Sequence, residues 1–209
     1  MNCVTRFALL GSLMGGAAAG VANGAEVLIS NDIATSTTWT ADNTYNLQDQ
    51  IYVLPGATLT IEPGTVIAST PTPNGSGSLA ITRGAKIEAQ GTRDNPIIFT
   101  STADVATWAG SNVQSGSVID PGDLSTGSWR EAANEWGNLT IMGRAYVSNT
   151  IDVDSNVPAC NANNVSPMEG LIGNSQNDPN VLFGGGNDDD NSGTLEFVSI
   201  RYAGRVVGL

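Results

Sequence analysis

The densest chemistry in the chain lies in Asn187-Asp188-Asp189-Asp190-Asn191-Ser192-Gly193. Asp188, Asp190 and Ser192 alternate and Gly193 follows, as in the opening of an EF-hand calcium loop, where alternate positions supply oxygens and glycine makes a sharp turn. The twelfth position of such a loop should be a bidentate Glu. Here it is Ser199, so Glu196 at the ninth stands in as the candidate ligand. The spacing therefore predicts a calcium site of Asp188, Asp190, Ser192 and Glu196. The competing reading is a solvated acidic turn, because the segment runs into a strand-like sequence and not into a helix. A second run, Asp152-x-Asp154-x-Asn156, repeats the alternation but has Val157 where the glycine belongs.

Other chemistries are narrowed by composition. The chain of 209 residues contains no histidine. That removes the commonest general base, the commonest zinc ligand and every Ser–His or Cys–His pair. Gly184-Gly185-Gly186 lacks the following Lys-Ser/Thr that phosphate binding requires. A formal net charge of −12, from 20 acidic and 8 basic residues, excludes a nucleic-acid partner, which needs clustered Lys and Arg. Sugar hydrolysis needs two carboxylates facing one ring. A calcium-assisted lyase needs acidic ligands beside a basic residue, and Arg201 and Arg205 follow the acidic cluster closely. The alternative is that both arginines are ordinary surface residues. Trp108 and Trp129 fall in a polar stretch, where they either stack on sugar rings or pack their segment down. Trp39 is expected to cap the first turn of the fold.

The elements that must hold these residues are short strands. Hydrophobic residues make up 40% and charged ones 13%, too apolar for a disordered chain, and 25 glycines favour many turns. Leu59-Thr60-Ile61-Glu62-Pro63-Gly64-Thr65-Val66-Ile67 and Leu79-Ala80-Ile81-Thr82-Arg83-Gly84-Ala85-Lys86-Ile87 align at an offset of 20 residues. Leu139-Thr140-Ile141-Met142-Gly143-Arg144-Ala145-Tyr146-Val147 is a third copy, 60 residues beyond the second, with its glycine one residue early. Leu-x-Ile puts two side chains on one face of a strand. The glycine permits a tight bend. A unit this small cannot bury its own face, so copies must stack.

Ile51-Tyr52-Val53, Pro96-Ile97-Ile98-Phe99-Thr100 and Leu195-Glu196-Phe197-Val198-Ser199-Ile200-Arg201-Tyr202 supply further strands. The pattern predicts an all-β fold, a right-handed parallel β-helix (solenoid) over residues 26–209. Long polar insertions interrupt it at about 103–135 and 148–193. An ordinary β-sandwich is the alternative. It does not require equivalent residues at a fixed offset.

Residues 1–25 read as an export signal. Arg6 precedes the apolar run Phe7–Ala22, and the small residues Ala22-Asn23-Gly24-Ala25 close it. The run is short for a bilayer span, and no later segment is long enough to be one. Cys3 sits inside the leader and not at its end, which disfavours lipid modification. Removal of the leader leaves Cys160 as an odd thiol.

The run Pro55–Ile67, with Asn95-Pro96-Ile97-Ile98-Phe99-Thr100-Ser101, Trp136-Gly137-Asn138-Leu139-Thr140-Ile141-Met142-Gly143-Arg144-Ala145 and Phe183–Leu195 continuing into Arg201-Tyr202-Ala203-Gly204, resembles the N-terminal part of a family of secreted bacterial right-handed β-helix proteins. The resemblance covers most of residues 50–209. It implies an exported protein of the periplasm, outer cell surface or extracellular space. Members of that family usually continue for further rungs, so the sequence ending at Val206-Val207-Gly208-Leu209 is expected to be truncated. The leading functional expectation is a non-enzymatic module for cell-surface structure, adhesion or carbohydrate-polymer binding. The alternatives are a carbohydrate-active enzyme of lyase or hydrolase type and a calcium-stabilised structural domain.

Overall fold

The computed structural model describes residues 25–73, 77–114, 117–148, 163–173 and 178–204. The leader up to Gly24, the Asp152–Asn156 run, Cys160, Arg205 and the last four residues lie outside the described residues. In chain order the strands are β1 (Glu26–Ile29), β2 (Thr37–Trp39), β3 (Thr44–Leu47), β4 (Gln50–Val53), β5 (Thr58–Ile61), β6 (Val66–Ser69), β7 (Ser78–Ile81), β8 (Lys86–Gln90) and β9 (Ile97–Ser101). A one-turn helix α1 (Thr102–Val105) and a hairpin of β10 (Asn112–Gln114) and β11 (Ser117–Asp120) follow. Then come β12 (Leu139–Ile141), β13 (Ser166–Pro167), β14 (Leu182–Phe183), β15 (Gly193–Glu196) and β16 (Val198–Ile200).

Three parallel sheets form the walls of a coil. The first face is β1-β3-β6-β9-β16, the second is β4-β7-β12, and the third is β2-β5-β8-β15. The chain visits second, third and first face in turn: β4, β5, β6; then β7, β8, β9; then β12, β15, β16. An incomplete earlier rung precedes them, with Ile33 bridged in parallel to Val53 on the second face. Parallel pairing between all stacked rungs is the signature of a parallel β-helix and excludes the antiparallel sandwich.

The repeat read from the sequence has two distinct origins. The 60-residue offset is a stacking register: Leu139 lies beside Leu79 and Ile141 beside Ile81. The 20-residue offset is not. Leu59 lies beside Ile87 on the third face, whereas Leu79 lies beside Ile51 on the second. One full rung advances 28 residues, from Gln50 to Ser78 and from Thr58 to Lys86. What recurs at the shorter interval is a corner with a strand on each side. Three such corners are β-turns closed by the amides of Ala57, Thr65 and Ala85 on the carbonyls of Leu54, Glu62 and Thr82, at 3.0, 3.2 and 3.0 Å. Gly56, Gly64 and Gly84 occupy their third positions at φ of 88°, 87° and 81°, the type II geometry that excludes most side chains. A coil passes more than one corner per rung, so its corner sequence repeats faster than the rung does.

Inside the coil, Ile51, Val53, Leu59, Ile61, Leu79, Ile81, Ile87, Ile97 and Phe99 form one buried cluster. Full burial of a Leu or Ile side chain is worth about 1.5–3 kcal/mol, so the ladder supplies the main stabilisation. It ends at the last rung, where Ile141, Leu195, Phe197 and Ile200 are 37–52% exposed.

The chain leaves the coil twice, once before the last rung and once within it. Between β9 and β12 the chain leaves the first face, and Val105, Trp108 and Val113 pack on the outward side chains Val66, Ala68 and Ile98. Between β12 and β15 it leaves again, and Met142, Val181, Met168, Leu171 and Phe183 pack on Tyr52 and Ala80 outside the second face. The third face keeps partly or fully exposed side chains, among them Thr58, Thr60, Lys86 and Glu88.

Candidate functional site

The first insertion and the end of the last rung enclose a cleft of about 750 Å³. Asp104, Trp129, Arg130, Glu131, Arg201 and Tyr202 contribute its distinctive lining. Each is placed by the coil. β9 ends in Thr100 and Ser101, both buried. The Ser101 hydroxyl accepts the Asp104 amide at 3.1 Å and caps α1, which turns the Asp104 carboxylate back onto the sheet. There Thr100 donates to Asp104 Oδ2 at 2.7 Å, and the Arg201 guanidinium approaches the same oxygen at 3.6 Å. Arg201 extends β16, its amide bonded to the Phe99 carbonyl at 2.9 Å, so the sheet itself sets its position opposite α1. Its guanidinium also lies 5.8 Å from the centre of the Trp108 ring.

A second charged pair reaches the cleft through Arg130. Arg130 donates from both terminal nitrogens to Glu135, at 2.8 and 2.6 Å, a bidentate geometry that fixes both groups. Ser101 also donates to Glu135, which ties the loop to the end of β9. Burial works to raise the Glu135 pKa. The hydrogen bonds from Arg130 and Ser101, with the Arg130 charge, outweigh it and hold the carboxyl below its ordinary value. The hydrogen bond to Glu135 likewise holds the Arg130 pKa above its ordinary value, against the opposing effect of burial.

Tyr202 sits under this pair, its ring centre 4.6 Å from the Arg130 guanidinium carbon. Its backbone is left-handed, with φ of 54°, uncommon for a bulky residue. Neighbouring bonds enforce it: the Glu135 amide donates to the Tyr202 carbonyl at 3.1 Å, and the Trp136 indole donates to the Arg201 carbonyl at 2.6 Å. Strain held by its surroundings in this way clusters at functional sites. Trp136 itself is buried and stacks on Phe99 at 6.1 Å.

The tryptophans singled out by sequence divide. Trp108 is 2% exposed and packs its insertion against the coil. Trp129 is 83% exposed at the cleft. Trp39 is buried in the earliest rung and stacks on Tyr45 at 4.6 Å.

The acidic loop is arranged differently from the cleft. Asp190 Oδ2 accepts the Arg144 amide at 2.9 Å, and its Oδ1 accepts Arg144 Nε at 2.9 Å and faces the terminal nitrogen at 2.8 Å. Burial opposes ionisation of Asp190, but these bonds and the nearby cations Arg144 and Lys86 hold its carboxyl below the usual range. Asp188 Oδ1 accepts the Tyr146 amide at 3.0 Å. The Ser192 carbonyl accepts the Ile87 amide at 3.0 Å, and Glu196 ends β15 as an exposed side chain beside Gln90. Among the described residues no three His, Cys, Asp or Glu side chains converge into a metal-holding group. Arg201, expected beside this cluster, has its ion pair with Asp104 instead.

Asp104, Arg130, Glu135 and Tyr202 were not singled out by sequence reasoning. Only folding brings α1, the loop around Arg130 and the end of β16 together, and no local spacing encodes that meeting. Residues 31–126 match the family model described as pectate-lyase like beta helix domain. The chain has the parallel β-helix fold. The matched part of the β-helix includes the unbroken rungs and Asp104, and it ends before Trp129 and Arg130. No curated protein and no solved structure matches the chain. Among the described residues of the β-helix no helix is long and apolar enough to cross a membrane.

Proposed function

We propose that this β-helix is an exported module that binds a carbohydrate polymer in the cleft beside Trp129, without cleaving it. The observation that carries the reading is Trp129, an 83% exposed indole at a cleft whose other lining residues are mostly charged or hydroxyl-bearing. A large aromatic held open beside hydrogen-bonding groups suits a ligand with apolar ring faces and a hydroxylated edge, such as a sugar. The likeness to a pectate-lyase-like domain supports the same ligand class. Export is supported by the leader pattern of residues 1–25.

Binding without turnover is favoured by the state of the carboxylates. A general acid must keep its proton near neutral pH. Glu135 is held ionised by Arg130 and Ser101. Calorimetry against a panel of soluble polysaccharides tests the proposal. Trp129→Ala should weaken binding about tenfold or more, the usual cost of removing an aromatic anchor, and leave the melting temperature unchanged. Cleavage of any polysaccharide by the wild type, lost in Glu135→Gln, would overturn it in favour of an enzyme.

A further inference from the structure

We infer that the ligand of this cleft is an uncharged glycan and not a polyuronate; the inference rests on the binding role proposed above. A cleft that captures acidic sugars needs cationic groups whose charge is not already paired. Here both arginines have partners. Arg130 gives both terminal nitrogens to Glu135 and lays its guanidinium over Tyr202. Arg201 faces Asp104, donates from Nε to the Ser199 hydroxyl at 3.1 Å and lies against Trp108. A sugar carboxylate entering the cleft would have to compete with Asp104 or Glu135 for these guanidiniums. The carboxylate left behind is sheltered: the Asp104 side chain is 2% exposed and that of Glu135 13%. Removing one partner of such a pair leaves an uncompensated charge away from water, and a new ion pair with the sugar does not offset that cost.

The remaining charge points the same way. Glu131 lines the cleft, is exposed, and forms no ion pair among the described residues. The field of the whole chain, at −12, repels a polyanion as it approaches. What the cleft still offers is the open face of Trp129 and hydroxyl groups such as that of Ser128. These recognise rings and hydroxyls and make no demand for charge.

The test is calorimetric titration of the full chain with cellohexaose, xylohexaose, mannohexaose and hexagalacturonate, at about 50 and 500 mM NaCl. At least one neutral hexamer should bind at least tenfold more tightly than hexagalacturonate. Its affinity should change less than about twofold between the two salt concentrations, because no ion pair is formed. Tighter binding of hexagalacturonate than of every neutral hexamer, weakened by salt, would overturn the inference and leave the binding role intact. Failure of all four to bind would overturn the binding role, and the inference with it.

Discussion

One insertion precedes the last rung and the other splits it; both cover an outer wall of the coil, and a cleft lies at the first. The second insertion is fastened by apolar contact, with Met142 and Val181 packed on Tyr52 and Ala80, and by the Arg144–Asp190 ion pair that joins its two ends. Its backbone is pinned back by Gly184 on Gly143 at 2.9 Å, and the Tyr52 hydroxyl donates to the Ile172 carbonyl at 2.6 Å. The first insertion has an apolar patch as well, around Val105 and Trp108, with Arg201–Asp104 beside it and Arg130–Glu135 at its far end. Apolar side chains are stable only when they close up. Charged pairs tolerate water beside them and can hold a loop away from the wall. The cleft lies where the loop around Arg130 meets the end of β16.

The largest expected effect comes from breaking the seam where the second insertion rejoins the coil. Gly193 has φ of 115°, and a Cβ placed there would lie 1.8 Å from the Ile87 carbonyl oxygen. No side chain can be accommodated without parting β15 from β8. Gly193→Ala should cost more than about 3 kcal/mol in denaturant unfolding. A cost below about 1 kcal/mol would contradict the pairing of Gly193 with Ile87.

Met142→Ala attacks the apolar roof itself. Met142 is fully buried in the cluster outside the second face, and its truncation should cost about 2–4 kcal/mol. Glycan affinity should stay at the wild-type value, because the cleft is fastened separately. Equal losses of stability and affinity would show that the two insertions are not independent.

Glu135→Gln attacks the charged clamp, and its effect should be smaller and dependent on pH. The pair is partly exposed, so about 1–2 kcal/mol is expected near pH 7. The folded-state pKa of Glu135 lies below the unfolded value, which is about 4.3. Its stabilisation is therefore complete above the unfolded pKa and is lost as pH falls through the folded one. Asp190 acts in the same direction through Arg144. Melting temperature against pH should fall below roughly pH 4 in the wild type and fall less steeply in Glu135→Gln. Parallel curves for the two proteins would remove Glu135 from the account.

How much of this the sequence disclosed follows from distance along the chain. The coil was legible because its information is local: Leu-x-Ile strands and glycine corners sit within nine residues of each other, and Leu139 and Leu79 stack as their sequences align. The rung length was not legible, because the corner recurs within a rung and its shorter interval masked the stacking step from Gln50 to Ser78. The exposed indole and Arg201 were picked out by type. Their setting was hidden, since Asp104 meets Arg201 from the far side of an insertion. The acidic loop shows the converse. Its spacing suggested ligand oxygens, and nothing nearby indicated that Arg144 would supply a cation to Asp190.

The central claim is that the ligand lies under the first insertion and not along the uncovered third face. Amide hydrogen exchange with and without a saturating neutral hexasaccharide tests it most directly. The account predicts new protection in residues 125–132 and at Arg201–Tyr202, with Thr58–Ile61 and Lys86–Gln90 unchanged. Protection along those two strands, with the loop around Trp129 unaffected, would contradict it.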